Sequence, residues 1–265
     1  MSTSTPVDRL APGDHACLTY SDHDDRLDQL AAFVAVGRER GERVICYTDN
    51  PLDLREREDF DDVLIAPNAE LWGAGGPDAK AMVARLGDEL EHAGGRGLRV
   101  TIDMSWAARP QANAEQLLAF EPELGKLPGP LSVVCEYDRE SFDPVTLAYA
   151  ARVHDHTIAA TVYHEDESLR ICRQHVPPGV RISGRLDFTH AEVLSDALAE
   201  AVRLDRDVHL NLIRLCSIDA GAASVIVQTA AKLPADRQMV VACLEPVNEL
   251  MVDAPNLRLL VRKIG

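Results

Sequence analysis

His15 and Cys17 stand two apart in the run HACLTY, a spacing that puts both side chains on one face of a β-strand. If Cys46 and Cys135, each inside its own apolar run, fall on neighbouring strands, thiolates and an imidazole converge as a soft-metal or haem site. The blander chemistry has Cys17 packing as a small hydrophobe and His15 satisfying a local hydrogen bond; it is preferred here, so no metal or cofactor is expected. Tyr20, Trp106 and Tyr137 lie at or just beyond the ends of strand-like runs and would form an aromatic rim around a small apolar pocket, suited to an uncharged organic ligand. Asp103, closing LRVTID, is a metal-holding acid in an active nucleotide hydrolase and otherwise a loop anchor. The ligand-pocket candidates are therefore His15, Cys17, Tyr20, Asp103, Trp106, Cys135 and Tyr137. His154, His156 and His164 could form a surface clip, but Asp155 and the loop-like setting favour solvated polar residues.

The elements that must position these groups alternate. Strand-like apolar runs occupy residues 15–20, 43–48, 62–66, 98–104, 131–137 and 157–163. Between them Leu27, Leu30, Ala31 and Val34 recur at helical period, as do Met82, Leu86, Leu90 and Ala93 before a Gly94-Gly95 stop. Asp143 followed by Pro144 marks a helix start. Strands alternating with helices predict a parallel sheet covered on both faces, with ligands outside the carboxyl ends of its strands. There the first loop, residues 20–25 (YSDHDD), is acidic and lacks the glycines and lysine of a phosphate loop. ATP hydrolysis is not expected. No G-x-S-x-G elbow supports a serine hydrolase either, and the chain is read as a non-enzyme.

Three motifs, GDHACLTY from Gly13, LRVTIDMSW from Leu98 and CEYDRESF from Cys135, resemble the MEDS sensory domain, named for methanogens and methylotrophs. The resemblance spans most of residues 10–165. It implies a degenerate RecA-like fold, a small organic compound as ligand, and fusion to kinases or transcriptional regulators.

The last two-fifths of the chain read differently. Residues 180–187 alternate as a half-buried strand. Thr189 and Glu192 have capping-box spacing, and Val193, Leu194, Ala197, Leu198, Ala201 and Val202 form one apolar helix face. Residues 208–218 form a strand running into Asp219, which caps a helix, residues 238–244 a further buried strand, and residues 246–253 a short third helix. This order, with GRLD and SIDAGAA in their places, resembles the STAS domain of anti-sigma factor antagonists over about residues 167–265. The resemblance implies a partner that is both serine kinase and anti-sigma factor, of GHKL type, which phosphorylates the hydroxyl residue directly after the Asp. Here that position is Ala220, followed by Gly221 and Ala222. Alanine accepts no phosphoryl group, so no charge can be placed at this helix N-terminus; Ser217 and Ser224 are nearby but lack the right geometry. The implied contact surface is Asp187, Asp219, Ala220, Gly221, Ala222 and Ser224.

At 265 residues the chain accommodates two domains, placed at 1–166 and 167–265. With 46% hydrophobic and 26% charged residues it is globular, and a net charge of −16 excludes nucleic acid and anionic membrane surfaces as partners. The N-terminus is short and polar, no apolar run reaches membrane-spanning length, and the six scattered cysteines read as reduced thiols; the expected location is the cytoplasm. The fold class expected is α/β, a RecA-like mostly parallel sheet followed by a smaller STAS-type domain. The expected function is a sensor controlling a non-phosphorylatable anti-sigma factor antagonist. The alternative is a scaffold or dimerisation component of a larger STAS-based complex, with a homodimer as its simplest form.

Overall fold

Parallel strands buried on both faces need covering helices, and the first half of the chain supplies one after nearly every strand. This computed structural model describes residues 3–109, 114–244, 247 and 255–262. The chain divides into two compact units, residues 1–159 and 160–265. The division precedes the expected 166/167 because the run at 157–163 is two strands: its end pairs antiparallel with the strand after it and so belongs to the second unit.

The first unit contains β1 (Thr3–Ser4), β2 (His15–Tyr20), α1 (His23–Arg40), β3 (Arg43–Tyr47), α2 (Pro51–Arg55), β4 (Leu64–Ala66), α3 (Ala79–His92), β5 (Leu98–Asp103), α4 (Ala114–Leu124), β6 (Leu131–Asp138), α5 (Pro144–Val153) and β7 (His156–Ile158). Its sheet runs β1-β7-β2-β6-β5-β3-β4, parallel at every pairing. Asp22 caps α1 by accepting from Asp25 N, and Gly41 ends it at φ 67°, a left-handed conformation that glycine adopts without strain. Asp143 and Pro144 start α5 as their types predict.

Successive strand residues face opposite ways. Cys17, Ile45, Val100, Ile102, Val133, Cys135 and Tyr137 pack on one face with Met82 and Leu86 of α3, Phe120 and Leu124 of α4 and Ala150 of α5. α1 covers the other face: a Cβ added at its Gly37 would lie 2.8 Å from both Arg99 Cδ and Val44 Cγ2.

The second unit contains β8 (Val162–Glu165), β9 (Leu169–Gln174), β10 (Gly179–Leu186), α6 (Ala191–Leu204), β11 (Val208–Asn211), β12 (Leu215–Ile218), α7 (Ala220–Ala231), β13 (Met239–Leu244) and β14 (Leu257–Arg262). The order is β14-β13-β11-β10-β9-β8, with β12 also on β10. β8-β9-β10 is antiparallel; the remaining pairs are parallel.

Three expectations are corrected in this unit. The single strand expected over 208–218 is broken, because Asn211 Oδ1 accepts from Ile213 N at 3.1 Å and turns the chain. β10 follows the break by pairing with β11 through Arg181 and with β12 from Gly184 onward, where the register shifts between Gly184 and Arg185 as Cys216 of β12 is skipped. The Thr189/Glu192 box does not form: Asp187 caps a short 3-10 turn, Phe188–His190, by accepting from Thr189 N, and α6 follows with His190 at its cap position and no side-chain capping bond. β14 is an additional strand the pattern does not announce, and the helix expected over 246–253 lies, except for Val247, outside the described residues.

Candidate functional site

The register Cys17↔Cys135 sets β2 against β6, so His15, Cys17, Cys135 and Tyr137 share one face of the sheet. α4 buries Leu117, Phe120, Glu121 and Leu124, and that stripe delivers an acid onto the same face. The residue that ends α5, His154, completes the group. His15 is 8% exposed, His154 2%, Glu121 1% and Cys135 0%.

Four donor atoms converge. His15 Nε2 lies 3.1 Å from Glu121 Oε2 and 3.4 Å from Cys135 Sγ. Cys135 Sγ is 3.6 Å from Glu121 Oε2, and His154 Nε2 is 3.3 Å from the same oxygen. The outer contacts fix this arrangement. The Tyr137 hydroxyl donates to Glu121 Oε1, and His154 Nδ1 bonds the Ala150 carbonyl at 2.7 Å. Among the described residues His154 Nε2 nevertheless has no hydrogen-bond partner; at 3.3 Å from the carboxylate it faces it off the line such a bond needs.

Electrostatics follow the carboxylate. Burial raises the cost of charging Glu121, but His154 and His15 outweigh it and hold the carboxyl below its ordinary range. For His154, burial works downward and Glu121 overcomes it, leaving the imidazole more basic than usual. His15 shifts the other way, with burial and the neighbouring His154 outweighing its bond to Glu121. Both shifts favour the charged forms of Glu121 and His154 against the cost of burial. Burial and that carboxylate push Cys17 up to about 12 and raise Cys135 well above the ordinary thiol range, so both are thiols here.

A second buried network lies on the opposite face, at the carboxyl ends of the central strands. Arg26 Nε donates to Glu136 Oε2 at 2.6 Å, with Tyr20 under the guanidinium at 5.6 Å. Burial pushes the Glu136 carboxyl up while Arg26 pulls it down, with the net shift upward. Arg26 Nη2 and Glu136 Oε1 are buried with no hydrogen-bond partner among the described residues, as are Asn68 Oδ1 and Thr101 Oγ1. Asp103, paired in register with Glu136, caps the turn after β5 by accepting from Ser105 N at 2.9 Å; its anchoring role is met.

The seven pocket candidates thus do not form one rim. His15, Cys17, Cys135 and Tyr137 share one face, whereas Tyr20 and Asp103 belong to the other. Trp106 and Tyr137 are fully buried. The chain turns at Met104–Ala108 and drives the indole into the core, where it meets Phe120 edge-on at 6.0 Å. Cys46 pairs in register with Thr101, which places it on the far face from Cys135. His154 is a core residue rather than a solvated one, and His156 instead bonds Thr5 Oγ1 at 2.9 Å. His164 pairs with Asp166 at 2.8 Å and lies near His190 in the second unit; Asp166 also closes its turn by accepting from Ser168 N at 2.7 Å.

Sequence reasoning misses Glu121. Its signal is an acid at helical spacing among Leu117, Phe120 and Leu124, which resembles a solvated position until the register is known.

In the second unit Asp219 Oδ1 accepts from Ala222 N at 2.8 Å, capping α7. Its other oxygen accepts from Phe188 N at 2.9 Å, joining the turn after β10 to the start of α7. Ala220, Gly221 and Ser224 are exposed, and Phe188 beside them is 69% exposed. Ala222 is buried in the core, which removes it from the expected contact surface.

The first unit is an α/β domain with a parallel sheet flanked by helices. The MEDS family, the methanogen/methylotroph DcmR sensory domain, matches residues 14–155, and the chain belongs to this family of sensory domains. Solved structures similar to the chain include a KaiC-like protein from the archaeon Pyrococcus horikoshii, with 14% identity and a TM-score of 0.44 over 62% of this chain and 79% of that one. Another is the flagellar accessory protein FlaH from Methanocaldococcus jannaschii, with 10% identity and a TM-score of 0.43 over the same shares, 62% and 79%. No curated protein matches the chain. Among the described residues no helix is long and apolar enough to cross a membrane.

Proposed function

We propose that the chain is a non-enzymatic signalling protein, in which a sensory unit on a degenerate RecA-like frame responds to a small organic compound. The observation that carries the sensing half is the Arg26–Glu136 network. Its Nη2 and Oε1 atoms, without a hydrogen-bond partner among the described residues, sit toward the carboxyl ends of the central strands, where ligands of parallel sheets bind. Buried polar groups are normally satisfied, so the occupant this network fits is small and uncharged and both donates and accepts, as a hydroxyl does. The acidic turn at 20–25 disfavours a phosphate there.

The second unit acts, on this reading, as a STAS-type anti-sigma factor antagonist that binds a serine kinase of GHKL type and cannot be phosphorylated. The Asp219 turn supports it: Ala220 and Gly221 open α7 on an exposed surface, held to the Phe188 turn by Asp219. Switching then passes through the sensor or through competition with a phosphorylatable relative. A scaffold role is the second reading. It is favoured by β14, an edge strand among the described residues on which Leu260 is 43% and Val261 39% exposed, because an open edge can pair with another chain.

The experiment is affinity capture from host lysate with the full chain and its Ala220→Asp variant in parallel. A GHKL-type kinase enriched by the first and lost by the second is expected. Equal enrichment by both would remove the Asp219 turn as the contact surface. Recovery only of further copies, with a large homo-oligomer in light scattering, would favour the scaffold.

A further inference from the structure

We propose that His15, Glu121, Cys135 and His154 form a buried tetrahedral site for a zinc ion. This inference stands apart from the ligand proposed above, which lies on the other face of the sheet.

The geometry carries it. Zinc bonds of about 2.0–2.1 Å to nitrogen, 2.0–2.2 Å to oxygen and 2.3 Å to sulfur place tetrahedral donors roughly 3.4 Å apart for nitrogen and oxygen, and about 3.6 Å where sulfur is one of the pair. The corresponding separations here are 3.1 Å and 3.3 Å for the two imidazoles to Glu121, 3.4 Å for His15 to Cys135 and 3.6 Å for Cys135 to Glu121. All four donor atoms lie within 4.8 Å of one another.

Hydrogen bonding alone accounts for part of this cluster and leaves one atom over. His154 Nε2, in a residue 2% exposed, has no hydrogen-bond partner among the described residues yet lies within 4.8 Å of the other three donors. The bond from its Nδ1 to Ala150 O selects the tautomer whose Nε2 lone pair is free to coordinate. Tyr137 holds the carboxylate oxygen that would not be a ligand. A histidine fixed through its second nitrogen and a ligating carboxylate held by a hydroxyl are the outer contacts zinc ligands need.

Charge balances as well. As zinc ligands Cys135 is a thiolate, its proton released on binding, and both imidazoles are neutral. The thiolate and the Glu121 carboxylate then neutralise the ion, so the core carries no net charge. Two imidazoles, one thiolate and one carboxylate suit zinc better than a hard cation, which takes an all-oxygen shell. With four protein donors and no open position the site is structural rather than catalytic. It ties β2, α4, β6 and the end of α5 together, and because every donor is buried the ion enters as the chain folds.

The test uses full-length protein expressed in zinc-supplemented or cobalt-supplemented medium, with a His190→Ala variant to remove the surface group of His164, Asp166 and His190. About one zinc per chain is expected in both proteins after chelator washing. The cobalt form should show a thiolate-to-cobalt charge-transfer band and tetrahedral ligand-field bands. Cys135→Ser should lose the charge-transfer band and Cys216→Ser, at an exposed cysteine, should keep it. Tyr137→Phe should keep the band with affinity about 10–100-fold weaker. X-ray absorption of the zinc-loaded wild type needs no variant, and should give one sulfur at about 2.3 Å with lighter scatterers near 2.0–2.1 Å. Background zinc in the wild type, a band unchanged by Cys135→Ser, metal lost with His190→Ala, or an all-light-atom shell would each overturn the site.

Discussion

The Tyr149 hydroxyl of α5 donates to the Leu118 carbonyl of α4 at 3.2 Å. The reason lies four residues further along α4, where Pro122 stands inside the helix. Proline has no N–H, so the Leu118 carbonyl loses its helical donor, and the neighbouring helix supplies one. The same pair of helices delivers Glu121 and His154 to the core, so this bond helps to register the two halves of the buried cluster.

Tyr149→Phe should therefore cost about 0.5–1.5 kcal/mol of stability. Both tryptophans, Trp72 and Trp106, belong to the first unit, and their fluorescence in urea reads the loss directly. In the Pro122→Ala background residue 122 regains an N–H that can serve Leu118, and the cost of Tyr149→Phe should shrink. Equal cost in both backgrounds would mean that the two residues are not coupled.

Arg26 and Glu136 should show opposite single and double behaviour. Their side chains are 4% and 1% exposed. Removing one partner strands a buried charge and should cost about 3–5 kcal/mol, whereas exchanging both for apolar residues is often neutral. Arg26→Met and Glu136→Leu singly should each lower the urea midpoint of the tryptophan signal, and together recover most of the loss. Additive losses would show that the pair is held by its other contacts rather than by each other.

Gly184 sits at φ +96°, and a Cβ at this position would fall 2.1 Å from the Ser168 carbonyl oxygen. Gly184→Ala must displace backbone and adopt a conformation alanine avoids. The expected loss exceeds about 1 kcal/mol and is confined to the second unit. It should move the thermal transition seen by circular dichroism while leaving that seen by tryptophan fluorescence in place. Gly75→Ala, where nothing lies within 4 Å of the new methyl, should move neither.

What the residues disclose before folding depends on how local the signal is. Alternating apolar runs and the Asp143-Pro144 start announce the first sheet and its helices, since period and cap chemistry act over a few residues. The HACLTY spacing puts His15 and Cys17 on one face, as found. Glu121 and His154 reach that face only through the packing of α4 and α5, and no local period carries that information. Trp106 is misplaced for the converse reason: a strand end reads as a rim, but the turn at Met104–Ala108 folds the indole inward. Motif position assigns Ala222 to a surface, although its place on α7 buries it.

Phe188 gives the remaining prediction. A phenylalanine 69% exposed, held against the Asp219 turn through its own backbone N–H, contributes little to the fold, and its replacement by Ser should change stability by no more than about 0.5 kcal/mol. If the turn meets a protein partner, however, an exposed aromatic beside it is the residue to carry affinity, because aromatic anchors dominate interfaces. Phe188→Ser should then weaken binding of the captured kinase by more than about tenfold, or roughly 1.4 kcal/mol, in calorimetric titration. Gly221→Ala tests the same contact from the other side: its new methyl would stand 3.0 Å from Phe188 Cβ, pushing the ring without removing it, and a smaller loss is expected. Unchanged affinity in both variants would place the partner surface elsewhere on the second unit.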